Sequence, residues 1–225
     1  MLLDLFRYGF SSEVVIGLFA TVFVVFCTLP IHEYAHALVA TKLGDDTARL
    51  KGRLTISPFA HIDIMGALMI LLVGVGYAKP VPVNPRKFKN PKAGMALTAF
   101  AGPLANILMA IFFMILANIC NVLYSSNPAL VIEVSYIFFT SAATINVSLA
   151  VFNLLPIPPL DGSRIVNLII PAKYYFKIMQ YERYIILGVF ALVFLGVLDV
   201  PLSFLTNVLM KAVSFVAGLP FRLIF

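Results

Sequence analysis

The chain has 225 residues, 61% hydrophobic and only 12% charged, with a mean hydropathy of +1.01 and a formal charge of +6. Soluble domains carry about 25% charged residues, so this composition excludes a soluble globular protein and points to one compact unit in a lipid bilayer. Most basic residues lie in short loops beside apolar runs, where they set membrane topology, and they do not suggest a nucleic-acid partner.

Taken in chain order, the first apolar run is Val14–Thr41, and it holds the polar cluster His32-Glu33-Tyr34-Ala35-His36. A spanning helix needs about 20 apolar residues, and this run qualifies with the cluster inside it. No small-residue cleavage pattern precedes the cluster, so the segment is expected to be retained rather than removed as a signal peptide. The next run, Ile64–Tyr77, is too short to cross and has basic flanks on both sides, so it is expected to be re-entrant or interfacial. Around it, "ARLKGRLTIS" and "AKPVPVNPRKF" read as extended segments, because Pro80, Pro82 and Pro85 exclude regular helix. Irregular backbone at membrane depth is tolerated only against protein or a wet cavity, so this region is expected to line a site.

Gly94–Tyr124 and Ala129–Leu155 are long enough to span, and Tyr184–Val200 with Leu202–Leu219 reads as a closing hairpin. With the N-terminus outside, the loops Lys42–Asp63, Lys79–Lys92 and Leu160–Arg183 and the C-terminal tail hold 14 of the 16 Lys and Arg. That places them in the cytoplasm. The expected fold is an all-α polytopic bundle of about five spans with a re-entrant, extended segment near the site. One domain covers 1–225, with its core at 13–163 and a loop and helical hairpin at 164–225. Cys27 and Cys120 sit in separate apolar runs, and no disulfide is expected.

Ionisable groups inside a membrane segment are costly and mark function. His32 and His36 are four residues apart, so on a helix both imidazoles share one face. Two nitrogen ligands for one divalent metal result, with Glu33 placed to act on a metal-bound water. A catalytic zinc generally takes a third protein ligand. Of the ten acidic residues, most lie at segment ends or in loops. Asp63 and Asp161 remain. Asp161, just after a long span in "NLLPIPPLDGSR", is preferred because Pro156, Pro158 and Pro159 break the helix and can turn it back toward the bundle. Asp63 and His61 are the next candidates.

Asn153, close before Asp161, is a candidate to hold substrate backbone or an oxyanion, or else a helix cap. His61 is a candidate for substrate or metal contact, with a supporting role in the loop the simpler reading. Asn106, with Gly102 and Pro103, lets helices pack closely near the site and is a further substrate-binding candidate.

"HEYAHA" followed about 120 residues later by "NLLPIPPLDG" resembles the paired motifs HExxH and NxxPxPxLDG of the site-2 protease family. Asn153, Pro156, Pro158, Leu160, Asp161 and Gly162 match the second motif at every defined position. "AGPLAN" (Ala101–Asn106), and "HID" followed by "AKPVPVNP", are similar to compact members without PDZ or CBS domains. The resemblance covers roughly Ile31–Gly162. It implies an intramembrane metalloprotease with one Zn2+ per chain, held by His32, His36 and Asp161, with Glu33 as catalytic base. The implied partner is a transmembrane protein substrate in a lipid bilayer. The compactness of the chain suggests a prokaryotic plasma membrane, and the distribution of Lys and Arg puts the site toward the cytoplasm. A metal-ion transporter and a noncatalytic helix-binding protein are the rival readings. Glu33 weighs against both, since neither passage nor simple binding needs a base there.

Overall fold

The computed structural model describes residues 11–73 and 78–222. The first long helix is built in three parts. Helix α1 (Ser12–Phe23) starts where Ser11 Oγ accepts from the Val14 N–H at 3.3 Å. A single π-helical turn (Val24–Thr28) follows, and then α2 (Leu29–Lys42) carries Pro30 in its first turn, where a missing N–H costs little. Thr21 and Thr28 return their hydroxyls to the carbonyls of Gly17 and Val24, at 2.9 and 3.0 Å, so neither donor is left bare in an apolar segment.

Short helices α3 (Thr47–Leu50), α4 (Pro58–His61) and α5 (Ile64–Val73) come next. At 10 residues, α5 is too short to cross a bilayer; positions 74–77, the rest of the run expected to be re-entrant, lie outside the described residues. Helix α6 (Pro91–Ser126) is capped by Asn90 Oδ1 on the Ala93 N–H, and α7 is Leu130–Leu154. Helices α8 (Asp161–Val166), α9 (Ala172–Met179), α10 (Glu182–Phe194) and α11 (Asp199–Arg222) complete the chain.

The protein is an all-α polytopic membrane protein. Among the described residues four helical stretches are long and apolar enough to span: Ser12–Lys42, Pro91–Ser126, Leu130–Leu154 and Asp199–Arg222. Their core interdigitates Ala110, Phe113, Met114 and Ala117 of α6 with Ala142, Ala143, Val147 and Val151 of α7, closed by Val24, Val213 and Ala217. Small residues let these helices approach closely. Phe19, Leu108, Phe112, Phe204 and Phe215 point outward, as a lipid-facing surface requires.

Two expectations differ from what is seen. The extended segments form no strand among the described residues. Residues 78–84 are instead laced to the loop before them. The Lys79 N–H donates to the His61 carbonyl at 2.8 Å, the Asn84 N–H donates to Asp45 Oδ2 at 2.6 Å, and Arg53 Nη2 donates to the Lys79 carbonyl. Pro80 and Pro82 have no N–H to offer a ladder, which is why the segment stays extended but unpaired. The expected closing hairpin is also asymmetric. Its first arm, α10, has 13 residues and is followed by Gly196, whose φ of +72° turns the chain toward α11. Thirteen residues span about 20 Å, against a hydrocarbon core of about 30 Å.

Helix α11 runs in the same direction as α6. Its start, at Asp199 and Ser203, lines the cavity that also holds His32 and Asp161. Eighteen residues later, the Ala217 carbonyl accepts from Asn118 Nδ2 at 3.2 Å, toward the far end of α6.

Candidate metal centre

His32 and His36 lie one turn apart on α2, as their spacing dictates, and both are buried. Their Nε2 atoms are 3.0 Å apart. Asp161 sits in the first turn of α8, and its Oδ2 lies 3.4 Å from Nε2 of His32 and 3.2 Å from Nε2 of His36. Three ligand atoms thus converge on one point, an arrangement that could hold a metal ion.

The scaffold makes this convergence by close packing at two glycines. A methyl group at Gly102 of α6 would lie under 3.0 Å from the Nε2 atoms of both histidines, so α6 passes directly behind the ligand atoms. A methyl group at Gly162 would lie equally close to the carbonyl oxygens of Leu154 and Leu155. That contact seats α8 on the end of α7 and fixes where Asp161 points. One turn before Gly102, the Thr98 carbonyl stands 2.7 Å from His36 Nδ1. A carbonyl only accepts, so Nδ1 carries the proton and Nε2 presents its lone pair.

Beside the three residues opens a cavity of about 920 Å³. Glu33, only 7% exposed, lines it. So does Asn153, whose Nδ2 donates to its own helix at the Leu149 carbonyl, 2.9 Å away. Pro80, Val81 and Val83 of the irregular segment form another part of the wall. Two facing polar rows, Thr144 and Ser148 of α7 and Ser203, Thr206 and Asn207 of α11, carry the cavity away from the ligands. The α11 row was not singled out from sequence; its signal was the spacing Asp199, Ser203, Thr206, Asn207 on one helical face.

Two candidates stand apart from the cavity. His61 is fully buried, its Nε2 bonded to the Thr55 carbonyl at 2.6 Å. Asn106 is 1% exposed and lies between helices. Neither residue lines the cavity. Asp63, the alternative acidic ligand, accepts the Gly66 N–H at 3.0 Å at the start of α5 and is not part of the ligand cluster.

A polytopic helical protein with a buried His-His-Asp cluster invites comparison with known metalloenzymes. The family model for peptidase family M50 matches residues 118–196, a stretch that contains Asn153 and Asp161. The chain is similar to the "Putative zinc metalloprotease YwhC" of Bacillus subtilis, 41% identical over 154 residues, covering 68% of this chain and 70% of that protein. It is 29% identical over 140 residues to the "Putative zinc metalloprotease Rip2" of Mycolicibacterium smegmatis, covering 60% of this chain and 51% of the relative. It is 25% identical over 149 residues to the "Zinc metalloprotease MJ0392" of Methanocaldococcus jannaschii, covering 66% and 34%. No solved structure matches the chain. The chain belongs to peptidase family M50, the site-2 protease family.

Proposed function

We propose that the protein is an intramembrane zinc metalloprotease that hydrolyses peptide bonds in or near the membrane segments of other membrane proteins. The observation that carries the reading is the convergence of His32, His36 and Asp161 beside Glu33 in a cavity inside the helical bundle. The donor set fits zinc. Ligands at about 2.0–2.1 Å on a tetrahedral ion stand roughly 3.3 Å from one another, and the three atoms here are 3.0, 3.2 and 3.4 Å apart. The fourth, open position would face the cavity.

The chemistry a bound zinc supplies is Lewis acidity and a water acidified to a pKa of about 7. The Thr98 carbonyl keeps the His36 proton on Nδ1, so Nε2 stays free to ligate. Asp161 presents a carboxylate oxygen 3.4 and 3.2 Å from the Nε2 atoms of His32 and His36. Glu33 takes the proton of the attacking water on its carboxylate and returns it to the leaving amide nitrogen. Asn153 keeps its Oδ1 available to a substrate N–H while its amide nitrogen is tied to Leu149. The backbone groups of Val81 and Val83 have no partner among the described residues, so the segment offers an extended stretch of substrate an edge to pair with. An unwound substrate needs such an edge, because a helix hides its amide bonds in its own hydrogen bonds.

The single domain (1–225), the cytoplasmic orientation of the site and a prokaryotic plasma membrane complete the proposal. The loops holding most of the Lys and Arg lie at the site end of the bundle, which supports that orientation.

The test is metal content and cleavage together. Purified wild type should hold about one zinc per chain, Asp161→Ala should lose it, and Glu33→Gln should keep it while losing cleavage of a membrane-spanning reporter. Chelation should abolish wild-type cleavage and zinc should restore it. Zinc-free wild type, or full cleavage by Glu33→Gln, would overturn the proposal.

A further inference from the structure

Nδ1 of His32 and both amide atoms of Asn106 are buried without a partner, as is the hydroxyl of Thr98 beside the cluster. Each is costly to bury unpaired. Asn106 is 1% exposed and His32 is 3% exposed, so bulk water cannot serve either one.

Register on α6 relates them. Thr98, Gly102 and Asn106 are four apart and share one face of the helix. This face packs against α2, where His36 and His32 are also four apart. Thr98 meets the Nδ1 side of His36, and Gly102 backs the Nε2 atoms of both rings. α6 therefore climbs from Thr98 to Asn106 as α2 descends from His36 to His32. With His32 Nε2 turned toward His36 and Gly102, its Nδ1 faces away from that contact. Asn106 is the next residue on this face of α6 beyond Gly102, on the side toward His32. The arrangement is close to symmetric about Gly102: an acceptor below it for one imidazole, and an amide above it for the other.

We infer that Asn106 is a positioning residue for the metal centre, its Oδ1 accepting the Nδ1 proton of His32 through one ordered water. The inference rests on the reading of His32 as a metal ligand through Nε2. A ligating Nε2 must be unprotonated, so the ring proton sits on Nδ1 and needs an acceptor. Asn106 then does for His32 what the Thr98 carbonyl does for His36. This accounts for an amide side chain in a packed helix interface away from the cavity, where substrate does not reach.

Two substitutions of similar size separate this role from packing. Zinc affinity would be measured in detergent by competition with a fluorescent chelator, for wild type, Asn106→Asp and Asn106→Leu, with thermal unfolding in zinc-free buffer as a check of the fold. A hydrogen-bond acceptor predicts that Asn106→Asp keeps affinity near wild type and Asn106→Leu loses about 10–100-fold. A packing role predicts the reverse order, because leucine fills the space and a carboxylate must be buried. That order, equal affinities, or equal losses in both folded variants would overturn the inference.

A measurement on wild type keeps the test independent of folding. In the 15N-histidine spectrum of the zinc-loaded protein, two Nδ1–H protons should exchange slowly, one lost in His36→Gln and one in His32→Gln. A His32 Nδ1 proton averaged with solvent would overturn the inference. Wild type that binds no zinc would instead overturn the proposed function, before Asn106 came into question.

Discussion

At the scale of single residues the centre depends on what is missing as much as on what is present. Gly102 leaves room for two imidazoles where any side chain would collide with their ligand atoms. Helix propensity favours alanine over glycine by about 1 kcal/mol, so Gly102→Ala should leave α6 intact. The added methyl must displace one or both rings, at about 1–3 kcal/mol. Zinc affinity should then fall roughly 10–100-fold, at 1.4 kcal/mol per decade. Chelator competition checks this, and an undiminished affinity would show that the rings move aside freely. The pairing of His32 with His36 was legible in the sequence because helical spacing converts directly into a shared face. Asp161 was reached by elimination among ten acidic residues and then by motif. The role of Gly102 was not legible beyond close packing, because the collision it avoids is with another helix, 66 residues away in the chain.

At the scale of elements the joint between α7 and α8 sets where Asp161 lies. Gly162 packs onto the last carbonyls of α7, and backbone oxygens cannot move aside as a flexible side chain can. Gly162→Ala should therefore cost about 1–3 kcal/mol of stability by overpacking and should weaken zinc binding by shifting Asp161. Comparing thermal unfolding with and without zinc would show both losses; a loss of stability alone would mean Asp161 keeps its place. The irregular stretch 78–84 offers a second test. Val83→Pro removes one unpaired N–H from the wall of the cavity without touching the ligand cluster. If substrate pairs along that edge, kcat/KM should fall at least 10-fold with zinc content unchanged, since a lost buried hydrogen bond costs about 1–3 kcal/mol. Sequence showed that the stretch was extended and next to a site, from its prolines. It did not show that the stretch stays single, because its partners are a histidine carbonyl, an aspartate and an arginine of a loop rather than a neighbouring strand.

At the scale of the whole molecule the question is how many times the chain crosses. Apolar content suggested two closing spans, since hydropathy sees α10 and α11 alike. Length separates them: α10 is 13 residues, and α11 is 24. The contact of Ala217 with Asn118, far from the ligands, and the place of Asp199 in the cavity near them fix the direction of α11. It begins on the side of the metal centre and ends on the far side. With α10 on the near side, the four long helices are the ones long and apolar enough to cross among the described residues. Four is even, so Ser11 and Arg222 should lie on the same face of the membrane, whereas five spans would put them on opposite faces. Cysteines introduced at Ser11 and Arg222, in a background with Cys27 and Cys120 replaced by alanine, should react alike with a membrane-impermeant maleimide added to sealed vesicles. One labelled end and one protected end would mean that α10 crosses after all. The outcome also bears on chemistry. If α10 does not cross, its face of Glu182, Ile186, Val189 and Phe190 covers the cavity without being anchored in both leaflets, and the wall beside the metal centre is then the part of the bundle least constrained by the bilayer.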